Sequence, residues 1–503
     1  MESLATLALR ENDVHEINVD GDRLLLHVPP TSLFALDSTS AALVDLFRER
    51  GTVTEDDVRD RFEGRVPPDD VVDALNELVD LGVVGNGGAA WRERRPVHVT
   101  KTPLSTIVLN VNTGCNLSCN YCYKEDLATP AAGKRMGFET AVAAFELLLR
   151  EAVDRSHVSV VFFGGEPLTA MPLIRDVVAY ASRRAGEAGK HVDFSLTTNA
   201  TLLTDDIIDY FDEHRFGLTV SMDGPKELHD RNRRTVGGGG SYDVVSRNAR
   251  KLLDRYRSRP IGARVTLTRG VTDVVAIHRH LRDEIGFFEV GFSPVTSGGS
   301  DAFRLSEAEL QTVFAGMKGL GAEYERAALR GENIGFGNMH QLLTDLHEGR
   351  AKSLPCGAGV GMLAVDRDGG LNLCHRFTGS TLATFGDVER GVDRERLGAF
   401  LDEAQDRSGR PCETCRIRNI CSGGCYHESY ARYGDPHHPV AHYCELLRDW
   451  VDFGIRAYVR ILRGRPDFFE RHLSPRRPRS IEDTARMGSP PTAAIALARR
   501  EIG

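Results

Sequence analysis

The stretch Asn112-Thr-Gly-Cys-Asn-Leu-Ser-Cys-Asn-Tyr-Cys-Tyr123 decides the reading, and it follows directly on the apolar run Thr106-Ile-Val-Leu-Asn-Val111. The run reads as a buried strand. The loop after it holds three thiols, Cys115, Cys119 and Cys122, in the spacing C-x-x-x-C-x-x-C. A tetrahedral zinc site would want a fourth ligand nearby, and none of the next dozen residues is Cys or His. Three thiolates suit an iron–sulfur cube with three irons anchored and the fourth left for an outside ligand. The plain alternative, three scattered core thiols, sits poorly with the spacing, the preceding strand and the aromatic at Tyr121.

At 503 residues the chain is long enough for two to four domains. Its 41% hydrophobic and 27% charged content describes a soluble globular protein, and no apolar run approaches the about 20 residues that cross a bilayer. The opening Met-Glu-Ser-Leu-Ala-Thr-Leu lacks the basic start and apolar core of a signal peptide, so a cytoplasmic location is expected, with no membrane contact. A net charge of -9 gives no reason to expect nucleic acid as a partner. The ten cysteines cluster at two places and leave the first 114 residues bare, unlike a disulfide framework. In a reducing compartment that pattern favours metal ligation.

The cysteine loop resembles the signature of the radical S-adenosylmethionine (radical SAM) enzymes. That resemblance implies a SAM molecule chelated on the free iron, and an external electron donor to reduce the cluster. From Thr106 to about Val295 strands and helices alternate, which argues for a parallel sheet with crossover helices. The expected strands are 106–111, 158–163, 192–197, 216–222, 262–268 and 287–293, six units that match the partial (β/α)6 barrel of the family. Chemistry in such folds collects at the C-terminal strand ends. After the second strand comes Phe163-Gly-Gly-Glu-Pro167, whose glycines allow close backbone approach. The resemblance implies that Gly164, Gly165 and Glu166 serve the SAM amino group. It also implies that Tyr121, Thr198, Asn199, Ser221, Asp223 and Arg233 are further SAM contacts. Asp-Gly-Pro or Gly-Gly taken singly would be ordinary turns.

Residues 1–97 read as a separate small module. Short strands flank Asp20-Gly-Asp22, and three helices start at Asp37-Ser-Thr-Ser40, Thr54-Glu-Asp-Asp57 and Pro67-Pro-Asp-Asp70. The module resembles the winged-helix peptide-recognition element of ribosomal peptide maturation, which binds a leader as an added strand. The alternative is a plain winged-helix packing domain. Gly85-Asn-Gly-Gly88 and Arg92-Glu-Arg-Arg95 read as the linker out. The radical SAM barrel is assigned to 98–300 and a helical bridge to 301–355.

Seven further thiols follow: Cys356, Cys374, Cys412, Cys415, Cys421, Cys425 and Cys444. A zinc ribbon could use four of them. Their order resembles the SPASM extension of peptide-modifying radical SAM enzymes, here 356–464, which holds two auxiliary clusters. The resemblance implies a distal set of Cys412, Cys415, Cys421 and Cys444, and a proximal set of Cys356, Cys374 and Cys425. The ten cysteines are then divided among three 4Fe-4S clusters. Sulfatase-maturing members carry a further cysteine just upstream of the Cys356 position, where Lys352-Ser-Leu-Pro355 has none. His375, beside Cys374, is a candidate ligand or general base, or else a second-layer or solvated histidine. The Pro- and Arg-rich tail, 465–503, is expected to be poorly ordered or loosely docked.

The fold class expected is α/β: a partial (β/α)6 barrel with an N-terminal winged-helix module and a C-terminal SPASM domain. Within that group the loop Cys115 to Asp126 looks most like the maturase of quinohemoprotein amine dehydrogenase. That likeness implies thioether bonds between Cys sulfur and a side-chain carbon of Asp or Glu, in a precursor peptide or small subunit bound through the N-terminal module. Cys-to-Cα thioethers, carbon–carbon crosslinks, formylglycine formation and a non-catalytic electron carrier are the alternatives.

Overall fold

A first barrel strand buried almost throughout, and later strands that alternate buried with part-buried residues, set the architecture. In the computed structural model, which describes residues 6–86, 104–123, 133–295 and 301–473, the apolar run becomes strand β1 (Thr106–Asn112). Five strands follow it in one parallel sheet: β2 (His157–Gly164), β3 (His191–Thr198), β4 (Gly217–Ser221), β5 (Gly262–Leu267) and β6 (Glu289–Pro294). All six lie within two residues of the expected spans. Residues such as Phe162, Phe194 and Phe216 point outward beneath the crossover helices, where their rings stack with centroids 5.6–6.2 Å apart. The opposite faces carry smaller and more polar residues and turn toward the barrel lumen.

The sheet does not stop at the barrel. Strand β7 (Met362–Val365) pairs parallel with β1, and β8 (Leu371–Asn372) pairs antiparallel with β7. Both arise from the cysteine-rich region, so that region grows out of the edge of the barrel sheet. Two helices of the 301–355 bridge, Glu307–Leu329 and Gly337–His347, pack against the long helix Cys444–Gly464.

The N-terminal residues form two three-stranded sheets and three helices, more strands than the two expected. The extra ones are two to four residues long, too short to leave a periodic signal. Leu24-Leu25-Leu26 explains how this part is held. Leu25 faces the module's own core with Leu43, Phe47 and Leu78, while Leu24 and Leu26 join Ile17 and Val28 in the main core. A strand covered on both faces reads as a continuous apolar run. Strand Val14–Val19 lies against helix Cys444–Gly464, so the module is fused to the C-terminal region on one face. Polar contacts frame that seam. His15 Nε2 meets Asp452 at 3.1 Å, Arg416 donates to the same carboxylate at 3.1 Å, and Asn419 donates to the Pro29 carbonyl at 2.9 Å.

The first part of the tail, expected to be poorly ordered or loosely docked, is packed instead. Phe468, Phe469 and Leu473 are buried, because the short helix Asp467–His472 presents its two phenylalanines to Tyr324, His347 and Tyr458. The remainder of the tail, 474–503, and most of the linker read at 85–95 lie outside the described residues.

Burial pushes the Asp452 carboxyl up, but the bonds from His15 and Arg416 outweigh it and hold the group below its ordinary value. Its contribution to the seam is therefore present above the unfolded carboxylate pKa of about 4 and is lost as pH falls through the lower folded value. Asp452→Ala is expected to loosen the seam by about 1–3 kcal/mol, since it leaves Arg416 and His15 without their shared partner. Faster hydrogen exchange in residues 14–28, with unchanged exchange in β1 to β3, is the measurement that checks it.

Candidate active site

The cysteine loop is positioned by its neighbours before any ligand is considered. Asn112, at the end of β1, accepts from the Gly165 N–H through Oδ1 at 3.0 Å and donates from Nδ2 to the Glu166 carbonyl at 2.8 Å. The Glu166 N–H returns a bond to the Gly114 carbonyl at 3.0 Å. A Cβ on Gly165 would lie 2.0 Å from the Gly114 oxygen, and one on Gly164, whose φ is +150°, would lie 2.5 Å from Asn112. The two glycines are thus required by the approach of one backbone to another. On the far side the loop is stitched to the segment after the fourth strand. Ser118 N–H donates to the Arg234 carbonyl at 2.7 Å, and Asn120 N–H to the Asn232 carbonyl at 3.0 Å.

Glu166 is buried and ties β2 to β3. Oε1 accepts from Leu168 N–H at 3.1 Å and Thr198 Oγ1 at 2.7 Å, and Oε2 accepts from Asn199 N–H at 2.7 Å. Oε2 keeps capacity for one more donor. The Asn199 amide reaches the Asn116 side chain at 3.0 Å and the Cys115 sulfur at 3.7 Å. Ser221 ends β4 in register with Arg264 of β5.

Tyr121, Asp223 and Arg233 form a buried triad below the loop. The Tyr121 hydroxyl donates to Asp223 Oδ2 at 2.6 Å, Arg233 Nη1 donates to the Tyr121 oxygen at 2.6 Å, and Thr266 N–H donates to Asp223 Oδ1 at 3.0 Å. Burial pushes the Asp223 carboxyl up, opposed by the charge of Arg233. Arg233 Nε is buried and has no hydrogen-bond partner among the described residues. A guanidinium N–H left bare in a closed polar pocket is suited to an outside acceptor such as a carboxylate.

All ten cysteines are free thiols. No three Cys, His, Asp or Glu side chains among the described residues close into a tight metal cage. The thiols nevertheless fall into three groups by mutual electrostatic influence. Cys115, Cys119 and Cys122 act on one another, as do Cys356, Cys374 and Cys425, and as do Cys412, Cys415, Cys421 and Cys444. Burial pushes Cys119 up to about 12 and Cys115, Cys374 and Cys421 up to about 11. Such sulfurs stay protonated unless a cation sits among them, and metal coordination removes that proton outright. Grouped, unpaired thiols, nine of them part-buried and Cys356 exposed, fit iron–sulfur ligation better than they fit a disulfide scaffold.

The proximal group faces the barrel. Tyr123, at the end of the first loop, lies within electrostatic reach of Cys122 on one side and of Cys374 and Cys425 on the other. The Arg376 guanidinium stands 4.9 Å above its ring, and His427 is 5.4 Å away. His375 stacks on Phe163 at 4.1 Å, directly before the Gly-Gly-Glu-Pro stretch, so it belongs to the barrel mouth and not to the outer surface. Asn112, Tyr123, Arg264 and Arg376 were not singled out in the sequence. Asn112 carried a signal, a polar residue closing an otherwise apolar strand.

Residues 109–280 match the family model of the Radical SAM superfamily. The likeness to that superfamily thus falls on the stretch that holds the cysteine loop and the first five barrel strands. It is 23% identical over 385 residues to the cysteine-type anaerobic sulfatase-maturating enzyme of Clostridium perfringens, covering 71% of this chain and 98% of that one. The serine-type anaerobic sulfatase-maturating enzyme of Klebsiella aerogenes is 25% identical over 346 residues, covering 66% of this chain and 80% of that one. The solved structure of native anSMEcpe with bound AdoMet superposes with a TM-score of 0.62 at 20% identity, covering 72% of this chain and 100% of that one. These relatives are sulfatase-maturating enzymes, and none is the amine dehydrogenase maturase that the loop sequence suggested. Among the described residues no helix is long and apolar enough to cross a membrane.

If the three groups each bind one cube, anaerobically reconstituted protein carries about twelve irons, four per cube. The triple variant Cys115→Ala/Cys119→Ala/Cys122→Ala is expected to keep about eight by the same count and to lose SAM cleavage. Iron analysis with an assay of 5′-deoxyadenosine checks both.

Proposed function

We propose that this protein is a peptide-modifying radical SAM enzyme that forms thioether bonds between Cys sulfur and a side-chain carbon, most simply of Asp or Glu. The observation that carries the reading is the grouping of the ten thiols, with the three-thiol group of Cys356, Cys374 and Cys425 set at the barrel mouth. Cys115, Cys119 and Cys122 would hold the SAM-binding cluster, with Glu166, Asn199 and Arg233 around the SAM. When bound, SAM and its cluster supply a carbon radical able to open an unactivated C–H bond, and the auxiliary clusters supply an electron acceptor. Thioether closure removes one hydrogen atom from carbon, one proton from sulfur and one electron, so the peptide becomes two hydrogens lighter. Three protein thiolates leave one corner of a cube for another soft ligand, which a substrate cysteine suits. His375, beside that group, is the candidate base.

The peptide reading has further support. The similar structure of native anSMEcpe with bound AdoMet and Cp18Cys peptide holds a peptide, at a TM-score of 0.59. The match to the Clostridium perfringens enzyme covers nearly all of that chain but only 71% of this one, so the excess length lies here. In the N-terminal module, strand Ser32–Ala35 pairs on one side only with Asp22–His27. Helix Pro68–Asp80 turns a second apolar stripe outward, with Val72 at 54% and Val79 at 37% exposure and Leu75 half-buried between them. A free strand edge and an uncovered stripe are what an added peptide strand uses.

Formylglycine formation is the second reading, favoured by the sulfatase-maturating relatives. The two readings give different products. A precursor peptide sought among the open reading frames beside the gene, incubated with reduced enzyme and SAM, is expected to lose two hydrogens and one alkylatable cysteine by tandem mass spectrometry. A reactive aldehyde would establish formylglycine, and a two-hydrogen loss with every cysteine still alkylatable would establish a carbon–carbon crosslink.

Deleting residues 1–97 would strip Leu24, Leu26 and Val28 from the main core, so point variants test the module better. Val72→Glu/Val79→Glu is expected to cut peptide modification at least about tenfold, as loss of two apolar anchors does, while uncoupled 5′-deoxyadenosine formation stays unchanged. Equal modification by the variant would remove the leader-binding role.

A further inference from the structure

The lumen faces of β3 to β6 are lined mainly by small polar residues, among them Thr197, Thr219, Thr266 and Ser293, and they carry a single arginine or lysine, Arg264. Arg264 sits mid-strand on β5, in register with Ser221 of β4 and Gly291 of β6. Its side chain is exposed, although the residues before and after it, Ala263 and Val265, are buried beneath the helices. The guanidinium therefore opens onto the enclosed lumen. Gly291 makes room for it, since a Cβ there would stand 3.2 Å from Arg264 Nη1. Beyond Gly291 the guanidinium donates to the Ser293 hydroxyl.

A second cation approaches from above. Arg376, on the loop that carries Cys374, stands over the Tyr123 ring and lies within electrostatic reach of Arg264. The acids near the pair are already placed. Glu289 is two residues toward the closed end of β6 and forms no salt bridge to Arg264 within 4.0 Å. Glu428, which acts on Arg376, is buried and bonded to Arg432 at 3.3 Å and Tyr443 at 3.4 Å. Among the described residues Arg264 has no ion pair and its one hydrogen bond goes to the neutral Ser293 hydroxyl, so its guanidinium keeps donors for an outside acceptor.

We propose that Arg264, assisted by Arg376 at the mouth, anchors a carboxylate of the bound substrate, so that the enzyme selects a peptide with an acidic side chain at or beside the reacting carbon. This inference rests on the peptide-modifying reading above. The fork of a guanidinium matches a carboxylate bidentately, and the neutral groups around it add hydrogen bonds without competing charge. The methionyl carboxylate of SAM shares that chemistry but has its own candidate partner in Arg233. Thr266, which binds Asp223 of the Arg233 triad, is two residues further along β5, placing Arg264 about 7 Å deeper in the lumen. At that depth a peptide side chain inserted through the mouth would reach it.

The test uses reconstituted, SAM-loaded full-length protein and two probes, N-acetyl-L-aspartate N-methylamide and its asparagine counterpart, titrated by calorimetry or saturation-transfer NMR. The acid is expected to bind at least about tenfold more tightly than the amide, as a charge-assisted bond requires. Arg264→Gln is expected to erase that preference, and Gly291→Ala, which crowds the guanidinium without removing it, to reduce it. SAM affinity, the spectroscopic signature of the clusters and uncoupled 5′-deoxyadenosine formation should stay unchanged in both variants. Equal binding of the two probes, no binding of either, or a preference retained by Arg264→Gln overturns the proposal. Weakened SAM binding in Arg264→Gln also overturns it, because the guanidinium would then be holding the SAM carboxylate. Absence of any SAM cleavage by the unaltered protein would instead sink the peptide-modifying reading, and the probe comparison would stand apart from it.

Discussion

The structure depends on one close approach of backbone to backbone, between the end of β2 and the start of the cysteine loop. Asn112, Gly164, Gly165 and Gly114 are packed so tightly that a single methyl group at Gly165 would collide with a carbonyl oxygen. That contact fixes where the loop leaves the sheet. Glu166 then extends the same network to β3, and the Tyr121–Asp223–Arg233 triad extends it beneath the loop to β4 and β5. Each link uses a buried polar group that is costly to leave unpaired, so the network holds as a unit. The cysteine loop therefore has a rigid floor before any cluster binds.

Much of this was legible in the sequence, and the legible parts share a cause. The six barrel strands were readable because each is a run with its own pattern between turn residues, and the helices between them carry apolar stripes at helical spacing. The cysteines were readable because their order follows the spacing of a known resemblance. What escaped depends on pairing over long separations. Met362–Val365 is too short and too ordinary to announce that it joins β1, some 250 residues earlier in the chain. The triplet Leu24-Leu25-Leu26 showed apolar character but not that its two faces serve different cores. Phe468 and Phe469 were hidden in a composition that otherwise reads as loose tail. Arg264 and Arg376 are more than 100 residues apart, and only the strand register and the loop after β8 bring their charges together.

Charge is distributed unevenly around this frame. Most ion pairs lie at the surface, such as Lys251 with Asp205, where solvent screening leaves them little weight. Inside, buried charges include Arg233 under the cysteine loop, Glu428 behind Arg376, Asp452 at the seam with the N-terminal module, and Asp345 and Glu348 on the bridge. Burying them without a function would be expensive. Each has a group of opposite charge beside it: Asp223, Arg432, Arg416, Lys352 and Arg350 in turn.

The junction of β7 with β1 has a consequence for how such a chain tolerates change. The loop carrying Cys374 and His375 follows β8, which is hydrogen-bonded to β7, which in turn is hydrogen-bonded to the strand that launches Cys115. Spacing between the two sulfur groups is thereby measured across neighbouring strands rather than along the polypeptide. The helical segment between 301 and 355 is packed on helix Cys444–Gly464 and does not set that spacing, which the hydrogen-bonded strands hold.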